Sequence, residues 1–391
     1  MATDKKLSPI FLDYQSTTPV DSRVLAAMLP YFSENFGNPA SKSHQPGHIA
    51  SAVVEAAREQ VARAIQAKPQ EIVFTSGATE AINLAIKGVA WANRDRGNHF
   101  ITVATEHKAV LDCFAWLKRN GFETTVLPVN SDGLLDPSEV HSALRPETVM
   151  VSVMAANNEI GVIQPFDEIA QICRAKGVHF FTDATQALGK MPISVSKSPI
   201  DLLCGSAHKI YGPKGIGFLY ARRSNPRVRI EPLIHGGGHE NGLRSGTLPT
   251  PLIVGLGEAL AVAVAEMNIT NQRLGGLRDI FLAELRHAIP GIKVNGSMEC
   301  RLSGNLNLSI PDVDAEALVV SLNQLVAFST GSACTSSSIS PSHVLSALGV
   351  DQATLRSSVR FSIGSKTNEE EIMRASAAII ERAIRLASLA R

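Results

Sequence analysis

The chain has 391 residues, 45% of them hydrophobic and 19% charged, with a formal net charge of +1 at pH 7. That balance gives no electrostatic footing for nucleic acid or an anionic membrane surface, and it suits a globular chain of one large and one small domain. The five cysteines (113, 173, 204, 300 and 334) are scattered and form no CxxC pair, which argues against a disulfide framework or a zinc ribbon and fits a reducing, cytoplasmic setting.

At the start, MATDKKLSPIF lacks the apolar stretch of a signal peptide, so none is expected. From residue 71 short apolar runs alternate with longer runs of helical period. EIVFT, HFITVAT, TVMVSVMA, VHFFTDA, IDLLCGSA and GIGFLYARR read as strands. ATEAINLAIKGVAW, KAVLDCFAWLKRNG and PFDEIAQICRAKG read as helices. Asp136-Pro137-Ser138-Glu139 is a helix start, with a cap, a proline in the first turn and an acid soon after. Near-continuous apolar strands are buried on both faces, which implies a mainly parallel sheet covered by helices. PLIVGLGEALAVAVAEM, 251–267, contains Glu258 and falls short of the about 20 residues that span a bilayer, so it reads as a buried helix. Near residue 265 the texture changes. Helical patterns at 271–288 and 314–323 flank short strands such as LNLSI, the Ser-rich GSACTSSSISPS follows, and a last helix starts at a capping box, Thr367-Asn368-Glu369-Glu370. The expected organisation is an arm (1–15) packing with the second domain, a large domain (16–265) and a small α+β domain (266–391).

Three strand ends carry residues with chemistry. In TSGATE, 75–80, Gly77 permits a tight turn, Thr79 offers a hydroxyl and the helix start offers free N–H groups, together an anion cradle suited to phosphate. Asp183 ends VHFFTDA and is either a helix N-cap or a carboxylate reaching a buried cation. Lys209 of SAHKIYGPKGIG sits just past a buried strand in a stiff Gly/Pro loop, where catalytic groups are often placed. Ligands of open α/β sheets bind outside the carboxyl ends of strands, so the three point to one crevice. An acid, a strand-end lysine and a phosphate cradle are what pyridoxal phosphate needs: a Schiff-base amine, a partner for the pyridine nitrogen and a phosphate seat.

Cys334 differs from the other cysteines. Cys113, Cys173 and Cys204 lie in apolar patterns and read as small core residues, whereas the neighbours of Cys334 are Ser, Thr and Gly, a setting for a reactive thiol. His235 and His239 are separated by three glycines, which do not fix two imidazoles for a metal, and HGGG has no GxSxG to serve. On these residues alone, an aminotransferase or β-lyase with an idle Cys334 stands beside a sulfur-transfer enzyme.

LDYQSTTP, FGNPASKSH, FTSGATE, TEHKAVLD, NNEIGVIQP, TDATQALGK, SAHKIYGPKGIG, HGGGHENGLRSGT, GSACTSSS and SSVRFSIG run in order over about residues 11–364. Together they resemble the cysteine desulfurases of the NifS/IscS type, class-V aminotransferase relatives among the fold-type-I pyridoxal-phosphate enzymes. The resemblance implies an α/β fold, with a large domain built on a mainly parallel sheet and a smaller α+β C-terminal domain. It also implies pyridoxal 5'-phosphate as cofactor and a homodimer. Catalytic roles fall to Cys334, Lys209 and His107. Cofactor contacts fall to Ala78, Thr79, Asn158, Asp183, Gln186, Ser206, His208 and Lys209, with Thr247 reaching in from the partner subunit. Asn158 and Arg360 would bind the substrate carboxylate, a task suited to the planar fork of arginine.

The implied reaction converts L-cysteine to L-alanine and leaves sulfur as a persulfide on Cys334. The acceptors would be proteins such as an iron–sulfur scaffold or a tRNA-thiolation factor, with no direct nucleic acid or membrane partner. No resident metal is implied, Cys334 touching an iron–sulfur cluster only in passing during transfer. The GSACTS form resembles the branch that supplies general sulfur. Asn241 in HENG stands where a basic residue is common. Housekeeping members carry a C-terminal tail that helps dock the scaffold, and this sequence stops at RLASLAR, so the resemblance carries the desulfurase chemistry over but not the docking to that scaffold.

Overall fold

The apolar runs become strands of one seven-stranded sheet in this computed structural model, which describes residues 9–330 and 342–389. Cys334 lies outside the described residues. A short strand, Ile10–Phe11 (β1), belongs to the N-terminal arm. The large sheet is built from Ile72–Thr75 (β2), His99–Val103 (β3), Glu123–Leu127 (β4), Thr148–Ser152 (β5), His179–Asp183 (β6), Leu202–Ser206 (β7) and Gly217–Ala221 (β8). Their order is β2-β8-β7-β6-β5-β3-β4, and β8 alone runs against the rest. Every residue of β2, β3, β5, β6, β7 and β8 is buried, which is why those strands read as continuous apolar runs. The strand β4 was not expected. It lies at the sheet edge, its ETTVL is largely solvent-facing, and it carries no such run.

Helices cover both faces. On one, Val54, Ala57 and Val61 of the helix Gln45–Ala64 pack with Ile169 and Cys173 of Phe166–Ala175 and with Phe180 of β6. On the other, Ile82 and Leu84 of Ala78–Ala92 and Phe114 of Lys108–Arg119 pack on Phe100, Met150 and Phe181. Each such side chain contributes about 1.5–3 kcal/mol when taken fully from water. Asp136 caps Pro137–Ala143 as expected, accepting from the Ser138 N–H at 2.8 Å.

The patterns at 251–267 and 271–288 form a single 39-residue helix, Thr250–Ala288. The stretch between them, Asn268 to Asn271, has no Gly or Pro, so nothing interrupts the hydrogen-bond ladder. Residue 265, the expected boundary, lies inside this helix. Its length and apolar content alone would pass for a membrane span, yet its two halves serve two cores. Ile253, Leu256 and Leu260 join the large-sheet core, while Leu277, Phe281 and Leu285 join a second one.

That second core backs Lys293–Val294 (β9), Asn305–Ser309 (β10), Ser329–Thr330 (β12) and Ser358–Ser362 (β13), an antiparallel sheet of order β12-β13-β10-β9. Val326–Ala327 (β11) pairs in parallel with β1 of the arm. Ala315–Leu322 and Glu369–Leu389 cover the sheet. The capping box of the last helix sits one residue later than expected: the Asn368 N–H donates to Glu371 Oε2 and the Glu371 N–H to Asn368 Oδ1, at 3.1 and 2.9 Å. Thr367 instead accepts from the Gly364 N–H. The arm runs on past β1 to bridge Ser362 at Asp13, then hydrogen-bonds the His208 carbonyl through the Thr18 N–H, so it touches both sheets.

Candidate active site

The carboxyl ends of β2, β6 and β7 open into one cavity of about 570 Å³, within the usual range for small-molecule sites. It gathers Ala78, Thr79, His107, Asn158, Asp183, Gln186, Ser206, His208, Lys209 and Arg360. Of the catalytic, cofactor and substrate residues that the resemblance implied, two are not among those walls. Thr247 is exposed and does not line it, and Cys334 falls outside the described residues.

Ala78 and Thr79 open the helix Ala78–Ala92, whose first N–H groups have no partner within the helix. Gly77 precedes them with φ +154°, and a Cβ on the facing Gly217 would come within 2.7 Å of the Gly77 Cα. This close approach of two backbones is what forms the cradle. Sequence reading missed its outer brace. Glu80 accepts from Arg244 Nε at 2.8 Å and from the Ser76 N–H at 2.8 Å, tying the cradle to the loop that carries Thr247.

Lys209 ends a single 3-10 turn, Ala207–Lys209, directly after β7. Its Nζ donates to the carbonyls of Gln15 and Ser16, both at 2.6 Å. Gln186 Nε2 donates to the same Gln15 carbonyl at 3.0 Å, while Lys190 Nζ donates to Gln186 Oε1 at 3.1 Å. Burial, and then the Lys209 charge, push the Lys190 amine down to about 7. Asp183 Oδ1 accepts from the Thr185 N–H at 2.9 Å, a local turn and not the helix N-cap, since no helix follows β6 there.

His107 caps Lys108–Arg119, its Nδ1 accepting from the Ala109 N–H at 3.1 Å. Burial lowers this imidazole below its usual value, the Asp183 charge pulling part of the way back. The neutral ring therefore carries its proton on Nε2. His208 is pushed down to about 4 by burial and then by the Lys209, Lys214 and Lys190 charges, and its Nδ1 is 3.1 Å from Thr17 Oγ1. Glu106, which the sequence did not flag, is fully buried and within reach of the Asp183 charge. Burial and the Asp183 charge hold its carboxyl well above the usual range. The signal available was its place in TEHKAV, next to His107.

Arg360 of β13 is 1% exposed. Its two terminal nitrogens donate to the Asn158 carbonyl at 2.9 Å and to Asp13 Oδ1 at 2.7 Å. Its Nε and the Asn158 side-chain oxygen are buried without a partner among the described residues. Gln15 Nε2 and Thr185 Oγ1, on residues of the same walls, are also unpartnered among the described residues. Buried polar groups in native proteins are almost always satisfied, so orphans gathered at one cavity mark a place for a polar ligand. Among the described cysteines, Cys113, Cys173 and Cys204 are buried, and burial pushes each thiol up, Cys113 to about 11. None of these three is an activated nucleophile.

A mainly parallel sheet with helices on both faces and a cavity at its strand ends define an α/β enzyme with a small-molecule site. The class-V aminotransferase profile matches residues 10–374. A cysteine desulfurase IscS of Ehrlichia chaffeensis is 53% identical over 95% of this chain and 90% of its own length. A solved NifS-like protein is 37% identical, with a TM-score of 0.89 over 96% of this chain and 99% of that one. A structure titled SspA in complex with cysteine is 38% identical, with a TM-score of 0.80 over 90% and 98%. The chain belongs to the class-V aminotransferase family, among the NifS/IscS-like cysteine desulfurases.

Proposed function

We propose that this cavity binds pyridoxal 5'-phosphate and L-cysteine, and that the protein converts L-cysteine to L-alanine while passing the sulfur through Cys334. The observation that carries the reading is the meeting of Lys209, Asp183 and the helix-start cradle with the orphaned Arg360 Nε in one cavity. The residues present fit the cofactor. Lys209 would hold it, Ala78, Thr79, Ser206 and His208 would seat the phosphate with Thr247 of a partner subunit, and Asp183 and Gln186 would meet the ring, with His107 against it. Once bound, the cofactor supplies an electron sink for negative charge at the substrate Cα.

The chain's own residues do the rest. Arg360 holds the substrate carboxylate in its planar fork beside Asn158. Lys209 takes the proton from Cα as general base. His107, whose Nδ1 accepts from the Ala109 N–H, would offer its Nε2 proton to the reacting groups. The Cys334 thiolate attacks the substrate sulfur. The carbon–sulfur bond breaks with its electron pair staying on carbon, a persulfide forms on Cys334, and the carbon skeleton takes up protons and leaves as alanine. A homodimer completes each site with Thr247, acceptor proteins such as an iron–sulfur scaffold or a tRNA-thiolation factor take the persulfide, and a reducing, cytoplasmic setting keeps Cys334 a thiol.

The test is alanine and sulfide release from L-cysteine plus a reducing thiol, for the parent and Cys334→Ala. Release by the parent, with loss in a variant that still carries the yellow cofactor, supports the reading. Equal turnover by both proteins would place the enzyme with the lyases or aminotransferases.

A further inference from the structure

We propose that Asp13 is the positioning residue that aims Arg360 at the substrate carboxylate, and that it thereby sets the preference of this site for amino acids with a free α-carboxylate. The inference rests on the reading of Arg360 as the carboxylate ligand. A long arginine side chain loses substantial rotamer freedom when it is held still, so a site that uses one needs something to hold it.

Two groups hold this one. Asp13 Oδ1 takes one terminal nitrogen at 2.7 Å and the Asn158 carbonyl takes the other at 2.9 Å, which fixes the guanidinium plane. Nε is left buried and unpartnered among the described residues, on a side chain that lines the cavity, so a carboxylate seated there would supply its missing acceptor. Asp13 is the one carboxylate in salt-bridge contact with Arg360 among the described residues. It is not itself on the wall of the cavity, so it acts through Arg360 and not on the substrate.

Asp13 is in turn fixed. It bridges Ser362 in β13 and accepts from Ser329 Oγ at 3.2 Å. Ser329 stands in β12, the strand that leads into the segment containing Cys334. Two residues beyond Asp13, the same arm presents its Gln15 and Ser16 carbonyls to Lys209 Nζ. One short stretch thus sets both the carboxylate-binding group and the amine.

The test uses the holoenzyme with Asp13→Ala and Asp13→Asn. It measures kcat and KM for L-cysteine, and follows binding of L-alanine and of cysteamine, which lacks the carboxylate, through the cofactor absorbance. The expected result for Asp13→Ala is a KM raised about tenfold or more with kcat within about threefold, a matching loss of L-alanine affinity and unchanged cysteamine affinity. Asp13→Asn, which keeps an acceptor but not the charge, should fall between. If Asp13→Ala does not fold because it leaves Arg360 buried and unpaired, Asp13→Asn supplies the same comparison. Equal loss of both ligands, or loss of neither, overturns the inference. A parent protein without cofactor absorbance or cysteine turnover overturns the reading of the site itself, and this inference with it.

Discussion

Ser342 Oγ donates to Glu159 Oε2 over 2.5 Å, so the first described residue after the segment containing Cys334 is tied to a buried acid of the large domain. Burial pushes that carboxyl up to about 7, the Ser342 bond and the Arg360 charge opposing.

A carboxyl that titrates near 4.5 unfolded and near 7 folded contributes its full stability below about pH 4.5, where it is protonated in both states. That contribution fades as pH rises toward about 7. Urea unfolding of the parent and Glu159→Gln at several pH values should therefore show the parent losing up to about 3 kcal/mol relative to the variant over that window. Parallel stability curves would show that Glu159 does not titrate there.

Lys190 should behave in the opposite sense. An amine whose folded value lies near 7 weakens the fold below that pH, and the penalty is relieved as pH rises toward 10.5. Lys190→Met should flatten this rise, read from unfolding midpoints at pH 6.5 and 9.5. Gln186 also loses its donor in the variant, so a weaker hold on the cofactor, read by absorbance during dialysis, should accompany it.

Arg58 and Glu240 form a buried pair, bonded through both terminal nitrogens at 2.8 and 2.7 Å, and Glu240 also accepts from the Phe74 N–H of β2. Breaking such a pair from one side leaves a buried charge. Arg58→Met should cost about 3–5 kcal/mol, measured by denaturant unfolding, and should loosen the loop that carries Arg244 and Thr247.

Arg360→Lys keeps a charge but loses the planar fork. KM for L-cysteine should rise about tenfold to a hundredfold, with thermal stability falling as well because Asn158 and Asp13 lose a shared partner. Steady-state kinetics and a melting curve check both.

Much of the site was readable because its parts are local. TSGATE, TDATQ and SAHK each follow a buried strand, and such strands announce themselves by continuous apolar runs. The edge strand β4 was missed for the same reason, since its residues face solvent. Glu106 and Glu159 do not stand out because a glutamate in sequence looks like a surface charge, and only depth of burial raises its carboxyl above the usual range.

What the sequence alone determined is the buried strands, most of the helices and the residue types at their ends, because periods of two and 3.6 residues are properties of neighbouring side chains. What only the tertiary structure decided is which of those residues meet. Asp13 and Arg360 stand 347 positions apart and are bonded at 2.7 Å, and the Asn368–Glu371 box won over its neighbour by a single residue. Contacts of that kind depend on chain geometry and burial, and they leave no periodic trace in the residues between.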